Sequence, residues 1–355
     1  MSEDHSPVPG PVPLVVQYLY IHEQGEEFYY PSVRAGATAA DVAVRYLECA
    51  LAQAATIHLR NVPCDLVLAT NIGAGRVSRS ASKLLKRLES LGVEILPTAY
   101  EHRPRGDDST YISSRYVLDA ILTATKGQPE DRKLWLTDLD CVWVDPQKTW
   151  AASPAAHQIG CVVIPYPADW DTVGFGEDGR TRNAIGAMAG EIGIPNDAPS
   201  WVGGELLAGT PGTLRTLVAA CESLDSQLAH DGRFLPTEEQ ILTLAGALGE
   251  IEFQDLSHVA QRVQTGHRHR ATLTKDPLSL GLWHLPAEKG LSLRRTAQEI
   301  NRGRPARLRT DLDDPVRMGR RFNVAGTGLT RRIRDDTWIA TQRARTFLEA
   351  HAPRR

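Results

Sequence analysis

Asp138 and Asp140 stand one residue apart where an apolar run through Leu134, Trp135 and Leu136 ends, and apolar residues resume at Cys141, Val142 and Trp143. Such a run reads as a buried strand. Two carboxylates at its end carry a desolvation cost unless something uses them. In an extended segment residues i and i+2 point the same way, so both acids are expected to face one site. Paired hard oxygen ligands suit Mg²⁺ or Mn²⁺, above all where a substrate diphosphate contributes further oxygens. The competing reading is a solvated turn after a strand, because Asp-x-Asp is a common spacing.

The elements that must position this pair are legible around it. Residues 12–21 read as a first buried strand and residues 22–40 as a loop with Gly25, Pro31 and Gly36. Asp41 reads as the N-cap of a helix reaching about His58, with Val42, Tyr46, Leu47 and Leu51 at helical spacing. Residues 65–70 form a second strand that runs into Asn71 and a Gly-x-Gly turn. A helix over 80–91, a strand over 93–96, a polar loop over 102–109 and a helix from about Tyr111 to Thr125 follow. Strands alternating with helices predict a parallel sheet with crossover helices. In such sheets ligands bind beyond the carboxyl ends of the strands, and the acid pair lies at such an end.

The second half is less regular. Residues 158–165 read as a strand, 180–194 as a helix or loop, and 200–210 as a strand broken by Gly203 and Gly204. Pro211 takes the first position of a helix to about Leu228. Thr237 and Gln240 form a capping box that opens another helix. Residues 251–256 and 279–285 are the last strand candidates, and beyond Ala287 the chain reads as helical and arginine-rich. No internal repeat is visible.

The whole chain bounds the function. With 355 residues it is long enough for one large α/β domain with appendages or for two domains. A net charge of −3 gives no sign of a nucleic-acid binder. Five scattered cysteines without a Cys-x-x-Cys pair argue against a zinc ribbon or disulfide framework and fit a reducing compartment. Residues 1–11 read as a disordered tail. Residues 1–13 have neither the basic start nor the apolar centre of a signal peptide. No apolar run reaches about 18 residues, the length of a membrane span. The expected location is the cytoplasm.

The order of motifs resembles that of metal-dependent GT-A glycosyltransferases, most closely the glycogenin-like, family-eight type. The motifs are a βαβα half ending in Asp-x-Asp, a Gly-Gly-Glu strand, an acidic helix start and a late strand ending in His. The resemblance covers residues 12–292, with 12–145 as nucleotide-binding half, 146–292 as acceptor half and 293–355 as an arginine-rich helical extension. It implies a Rossmann-like, mostly parallel sheet with helices on both faces. It also implies that Asp138 and Asp140 hold Mn²⁺ (or Mg²⁺) and the donor diphosphate, and that His284 completes the metal shell with Lys289 beside it. The family usually has Gly and then Lys-Pro-Trp after that His, where this chain has Leu285, Pro286, Ala287, Glu288, Lys289 and Gly290. The segment Tyr111-Ile112-Ser113-Ser114-Arg115-Tyr116 resembles the family's Ser-x-Tyr-x-Arg-Tyr pattern, which implies that Arg115 reaches the nucleotide; a solvent-facing Arg on an amphipathic helix is the alternative. Tyr20 and Asn71 are further candidates on the donor side, although Asn71 needs no function as a turn residue.

The resemblance implies transfer of a sugar from a nucleotide-diphosphate sugar, UDP-sugar first, to a hydroxyl-bearing acceptor. Trp201-Val202-Gly203-Gly204-Glu205 resembles the acceptor-side strand; paired glycines admit close approach of a ligand, and a β-bulge is the alternative. Glu238, Glu239 and Gln240 resemble the helix start beside the reacting sugar, although a helix N-terminus favours acids without any function. Glu205, Glu238, Glu239 and Gln240 are the candidate catalytic groups. Each suits either a base for inversion or a polar group beneath the anomeric carbon for retention, and the family tilts the expectation to retention. A rival is a sugar-phosphate nucleotidyltransferase, disfavoured because the stretch after the first strand is acidic at Glu23, Glu26 and Glu27. A second is a non-catalytic sugar-nucleotide-binding protein. The run His267-Arg268-His269-Arg270 reads as a solvated loop. Residues 302–334 hold ten Arg against three Asp, a basic surface that suits an anionic acceptor or peripheral membrane contact.

Overall fold

In a computed structural model, which describes residues 11–23, 26, 37–73, 78–104, 112–166, 182–192, 199–266, 276–326, 332–333 and 335–337, the first apolar run becomes strand β1 (Leu14–Leu19), buried at every position. Helix α1 (Ala39–His58) begins one turn earlier than Asp41 implied. Thr38 is its N-cap and Asp41 is the third helical residue, each bonding the other's backbone N–H in a capping box. Strand β2 (Asp65–Thr70), helix α2 (Arg79–Glu89) and strand β3 (Val93–Pro97) follow as expected. The next helix opens with a 3₁₀ turn, Ile112–Arg115, before α3 (Tyr116–Thr125).

Strand β4 (Leu134–Thr137) stops short of the acid pair, and the chain resumes as a separate strand, β5 (Cys141–Trp143). A short helix α4 (Pro146–Ala151), β6 (Ile159–Ile164), α5 (Arg182–Glu191) and β7 (Trp201–Gly209) come next. Thr210 caps α6 (Pro211–His230), with Pro211 at its start. Thr237 caps α7 (Glu238–Ala247) in the expected box with Gln240. Strands β8 (Phe253–Asp255), β9 (Ala260–Arg262) and β10 (Leu282–His284) precede α8 (Ser292–Asn301), α9 (Ala306–Leu312) and α10 (Pro315–Arg321). Tyr111, the run 267–270, residues 1–10 of the expected tail and residues 338–355 of the arginine-rich extension lie outside the described residues.

Among the described residues the main sheet has seven strands in the order β3-β2-β1-β4-β7-β6-β8. Only β7 runs against its neighbours. The mixed α/β layout expected from the alternation of strands and helices is therefore present, with strands from both halves of the chain in one sheet. The strand order reverses between β2 and β4 around β1, which opens a crevice at their carboxyl ends. A second sheet, β5-β10-β9, carries β10 antiparallel to β5 and parallel to β9. Helix α1 packs on α2 and α8, α3 on α6 and on β1 and β2, and α7 on β7. Polar groups also tie the layers: Gln17 Nε2 donates to Ala50 O at 3.1 Å, and Gln53 Nε2 to Thr137 Oγ1 at 2.7 Å.

Strand β7 runs through Gly203 and Gly204 without a break but not without a defect. Between Cys161 and Val162 its pairing with β6 jumps from Leu207 to Gly203, so Gly204, Glu205 and Leu206 have no partner there. Pairing with β4 continues through Leu206. A bulge of this kind bends a strand and re-aims a side chain; here the side chain is Glu205. No helix among the described residues is long and apolar enough to cross a membrane.

Candidate metal centre

The acid pair sits on a turn. Cys141 N donates to Asp138 O at 3.2 Å, and the two flanking strands belong to different sheets. The alternation of an extended strand is therefore not what aims both carboxylates at one place; a chain reversal does so, with Leu139 buried beneath it. Neighbouring strands pin the turn from both sides. Asp138 N donates to Glu205 O at 3.1 Å, and Leu285 N donates to Asp140 O at 2.9 Å.

His284 ends β10 directly opposite Cys141. Its Nε2 lies 3.1 Å from Asp140 Oδ2 and 3.4 Å from Asp138 Oδ2. Lys289 Nζ lies 3.2 Å from Asp140 Oδ2 and 5.2 Å from the centre of the Tyr46 ring. One ligand atom each from Asp138, Asp140 and His284 fall within 4.8 Å of one another, the one such group among the described residues. Asp140 Oδ2 is buried and accepts no well-aligned hydrogen bond from either cationic neighbour. That oxygen, a second carboxylate and an imidazole together make a donor set that fits a divalent cation such as Mn²⁺.

The electrostatics agree. Burial raises the pKa of the Asp138 carboxyl above the usual carboxylate range, aided by the charge of Asp140 and opposed by His284 and Lys289. Burial acts on Asp140 too, but Lys289 and His284 outweigh it and hold that carboxyl well below its usual range. Burial disfavours an imidazolium at His284, yet Asp140 and Glu205 push it up to about 9. Without a bound cation the protonated ring and the Lys289 ammonium therefore supply the positive charge that the acids attract.

Tyr18, which the sequence did not single out, holds Asp138. Its hydroxyl donates to Asp138 Oδ1 at 2.5 Å and lies 3.2 Å from Gly204 O. Arg262 at the end of β9 was also missed. It lies beside His284 in register, and its Nη2 reaches Glu205 Oε2 at 2.9 Å and Glu239 Oε1 at 2.5 Å. Glu239 gives its other oxygen to Trp201 Nε1 at 2.8 Å. Burial opposes the charge on Glu205, but Arg262 and His284 draw its pKa down to about 2. Glu238 differs: burial, then the charges of Glu239 and Asp138, raise it to about 8. A Cβ on Gly204 would overlap the Glu238 side chain, so the glycine makes room for it. Gln240 spends its carbonyl on the Thr237 N–H at 3.2 Å, and its buried amide nitrogen has no hydrogen-bond partner among the described residues.

Three donor-side candidates lie away from the acid pair. Arg115 is fully buried, paired with Asp225 and donating to Leu235 O at 3.0 Å; it is neither solvent-facing nor turned to the acid pair, and its neighbour Ser114 is the one that meets Glu238, accepting from its N–H at 3.3 Å. Asn71 bridges the ends of β1 and β2 by bonding both Ile21 N at 2.8 Å and Ile21 O at 2.7 Å. Tyr20 is buried, with its hydroxyl bonded to Glu26 and to Arg103 Nη2 at 2.6 Å. Tyr20 and Asn71 line one cleft with Thr98 and Tyr100 beyond the ends of β1, β2 and β3.

No protein-family model and no curated protein matches the chain. Solved structures similar to it include the galactosyltransferase LgtC in complex with donor and acceptor sugar analogs, at 10% identity and a TM-score of 0.48 over 82% of this chain and 95% of that one. Mouse xyloside xylosyltransferase 1, in its apo form, aligns at 11% identity and a TM-score of 0.45, covering 78% of this chain and 97% of that one. The bifunctional glycosyltransferase WbbM, also apo, aligns at 12% identity and a TM-score of 0.49, covering 87% and 52%.

Proposed function

We propose that the chain is a metal-dependent GT-A glycosyltransferase that moves a sugar from a nucleoside-diphosphate sugar, UDP-sugar first, to a hydroxyl-bearing acceptor with retention at the anomeric carbon. The observation that carries this reading is the meeting of Asp138, Asp140 and His284, beside Lys289, beyond the carboxyl ends of β1 and β4. Asp138, Asp140 and His284 would hold the cation, and the imidazole favours Mn²⁺ over Mg²⁺. A divalent cation there supplies Lewis-acid neutralisation of a departing diphosphate.

The chain's own residues divide the remaining work. Lys289 adds fixed positive charge where the leaving group gathers negative charge. Tyr18 holds the Asp138 carboxylate in place. The motif resemblance tilts the reading to retention; inversion would need a carboxylate base beside the acceptor, and two of the candidates are tied to one arginine. Glu205 and Glu239 share the Arg262 guanidinium, and burial with the charges of Glu239 and Asp138 raises Glu238 to about 8. Protonated Glu238 can instead donate a hydrogen bond to a sugar or acceptor oxygen.

The test is hydrolysis and transfer with UDP-, GDP- and dTDP-sugars, with Mn²⁺ and with chelator. Sugar release that needs Mn²⁺ and is absent from Asp140→Asn is expected. Diphosphate release from a nucleoside triphosphate and a sugar phosphate, with no sugar release, would replace this reading by a nucleotidyltransferase.

A further inference from the structure

Glu205 stands where the two sheets meet. It rides on the β7 bulge of the main sheet, and its carbonyl accepts from Asp138 N at 3.1 Å and lies 3.7 Å from Cys141 Sγ. Its carboxylate faces the small sheet. There Cys141, His284 and Arg262 are direct partners across β5, β10 and β9, so their side chains share one face. Glu205 Oε2 is fixed by Arg262 at 2.9 Å. Glu205 Oε1 lies 3.8 Å from His284 Nδ1. Both of these atoms are buried and neither has a well-aligned hydrogen-bond partner among the described residues. They face one another, and a movement of about 1 Å brings them to N–H···O distance.

We propose that Glu205 is a positioning residue that orients the metal-binding imidazole, accepting the His284 Nδ1 proton so that Nε2 presents its lone pair between Asp138 and Asp140. This rests on reading those three residues as a cation site. An imidazole ligand carries one proton, and the group that accepts it decides which nitrogen is left for the metal. Arg262 holds the other carboxylate oxygen of Glu205, which leaves Oε1 for the ring. The bulge is what lets Glu205 do this. Its backbone holds the acid turn while its side chain reaches the next sheet, so one residue aligns two ligands.

The test is Mn²⁺ affinity, measured by electron paramagnetic resonance of free Mn²⁺, in the wild type, Glu205→Gln, His284→Ala, the double variant and Asp140→Asn. Loss of an outer partner of this kind costs about 10–100-fold in metal affinity, and that is the loss expected for Glu205→Gln. The effect should vanish in the His284→Ala background, because Glu205 acts through that ring. A purely structural Glu205 would lower the unfolding midpoint equally in both backgrounds and leave Mn²⁺ affinity unchanged; that outcome overturns the proposal. If Glu205→Gln does not fold, Glu205→Asp keeps the charge opposite Arg262 while withdrawing from His284, and it should weaken Mn²⁺ in the same way; unchanged affinity there overturns it equally. Equal affinity in wild type and Asp140→Asn would instead remove the cation site itself.

Discussion

The Tyr18 hydroxyl donates to Asp138 Oδ1 at 2.5 Å, across neighbouring strands on either side of the point where the strand order reverses. Asp138 is the weaker acid of the pair, held above its usual range by burial and by Asp140. The Tyr18 bond favours its charged form. Tyr18→Phe removes a hydrogen bond to a charge, worth about 1.5–3 kcal/mol. Mn²⁺ affinity, read by calorimetry at pH 7, is expected to fall roughly ten- to a hundredfold. Unchanged affinity would mean that Asp138 needs no help to ionise.

Asp140→Asn is expected to abolish Mn²⁺-dependent sugar release. It also leaves Lys289 and His284 without their main partner, so the folded protein loses stability, on the order of 3–5 kcal/mol for a buried ion pair stripped of one member. Chemical denaturation followed by circular dichroism, beside the activity assay, separates the two effects. Wild-type turnover at limiting Mn²⁺ would refute the role given to this carboxylate.

At the proposed cation site Mn²⁺ competes with a proton for His284. With the ring held up to about 9, affinity should keep climbing from pH 6 to pH 9. An unperturbed ring would level off above about 6.5. Calorimetry in buffers of different ionisation enthalpy should register protons released on binding at pH 7.5. A flat profile above pH 7 would contradict the geometry around His284.

Gly204→Ala places a methyl group in the volume of the Glu238 side chain. Overpacking of this kind costs about 1–3 kcal/mol. The variant should unfold at lower denaturant and show a raised acceptor KM, because Glu238 has to move; a KM equal to that of the wild type would detach Glu238 from the acceptor.

His102 clamps α3 to α6, with Nδ1 2.7 Å from Asp119 and Nε2 2.9 Å from Glu222. The hydrogen bond to Asp119, opposed by burial and aided by Glu222, raises it to about 8. The folded value lies above the unfolded one of about 6.5. Its contribution to stability is therefore complete below pH 6.5 and is lost as pH rises through 8. Wild-type unfolding midpoints should fall over that interval by more than those of His102→Gln. Parallel curves for the two proteins would exclude the clamp.

The parts of this architecture that the sequence displays are those governed by local chemistry. The apolar runs of β1, β2 and β4 announce buried strands, and Pro211, Thr237 and Gln240 announce helix starts. The Thr38–Asp41 box was written there too, in the three-residue spacing that makes Thr38 rather than Asp41 the cap. Other features depend on partners distant in sequence. Strand β9 is three residues long and contains Gln261 and Arg262, so no apolar run marks it. Arg115 sits at a helix start like any surface arginine, and only the fold reveals that Asp225 has drawn it inward. Tyr18 lies in a strand whose sequence looks wholly structural, and its hydroxyl matters only because β4 ends beside it.

The pairing of Cys141 with His284 also sets a timetable. On a ribosome adding about 5–20 residues per second, Asp138 and Asp140 emerge on the order of ten seconds before the strand that bears His284. For that interval the nascent chain carries two bare acids with no imidazole, no ammonium and no edge partner for β5. On the proposed reading, cation capture is thus a late event in the birth of the protein, sealed when its C-terminal third arrives. A chain stalled before Leu282 would leave the ribosome with two of the three proposed ligands and no means of gaining the third.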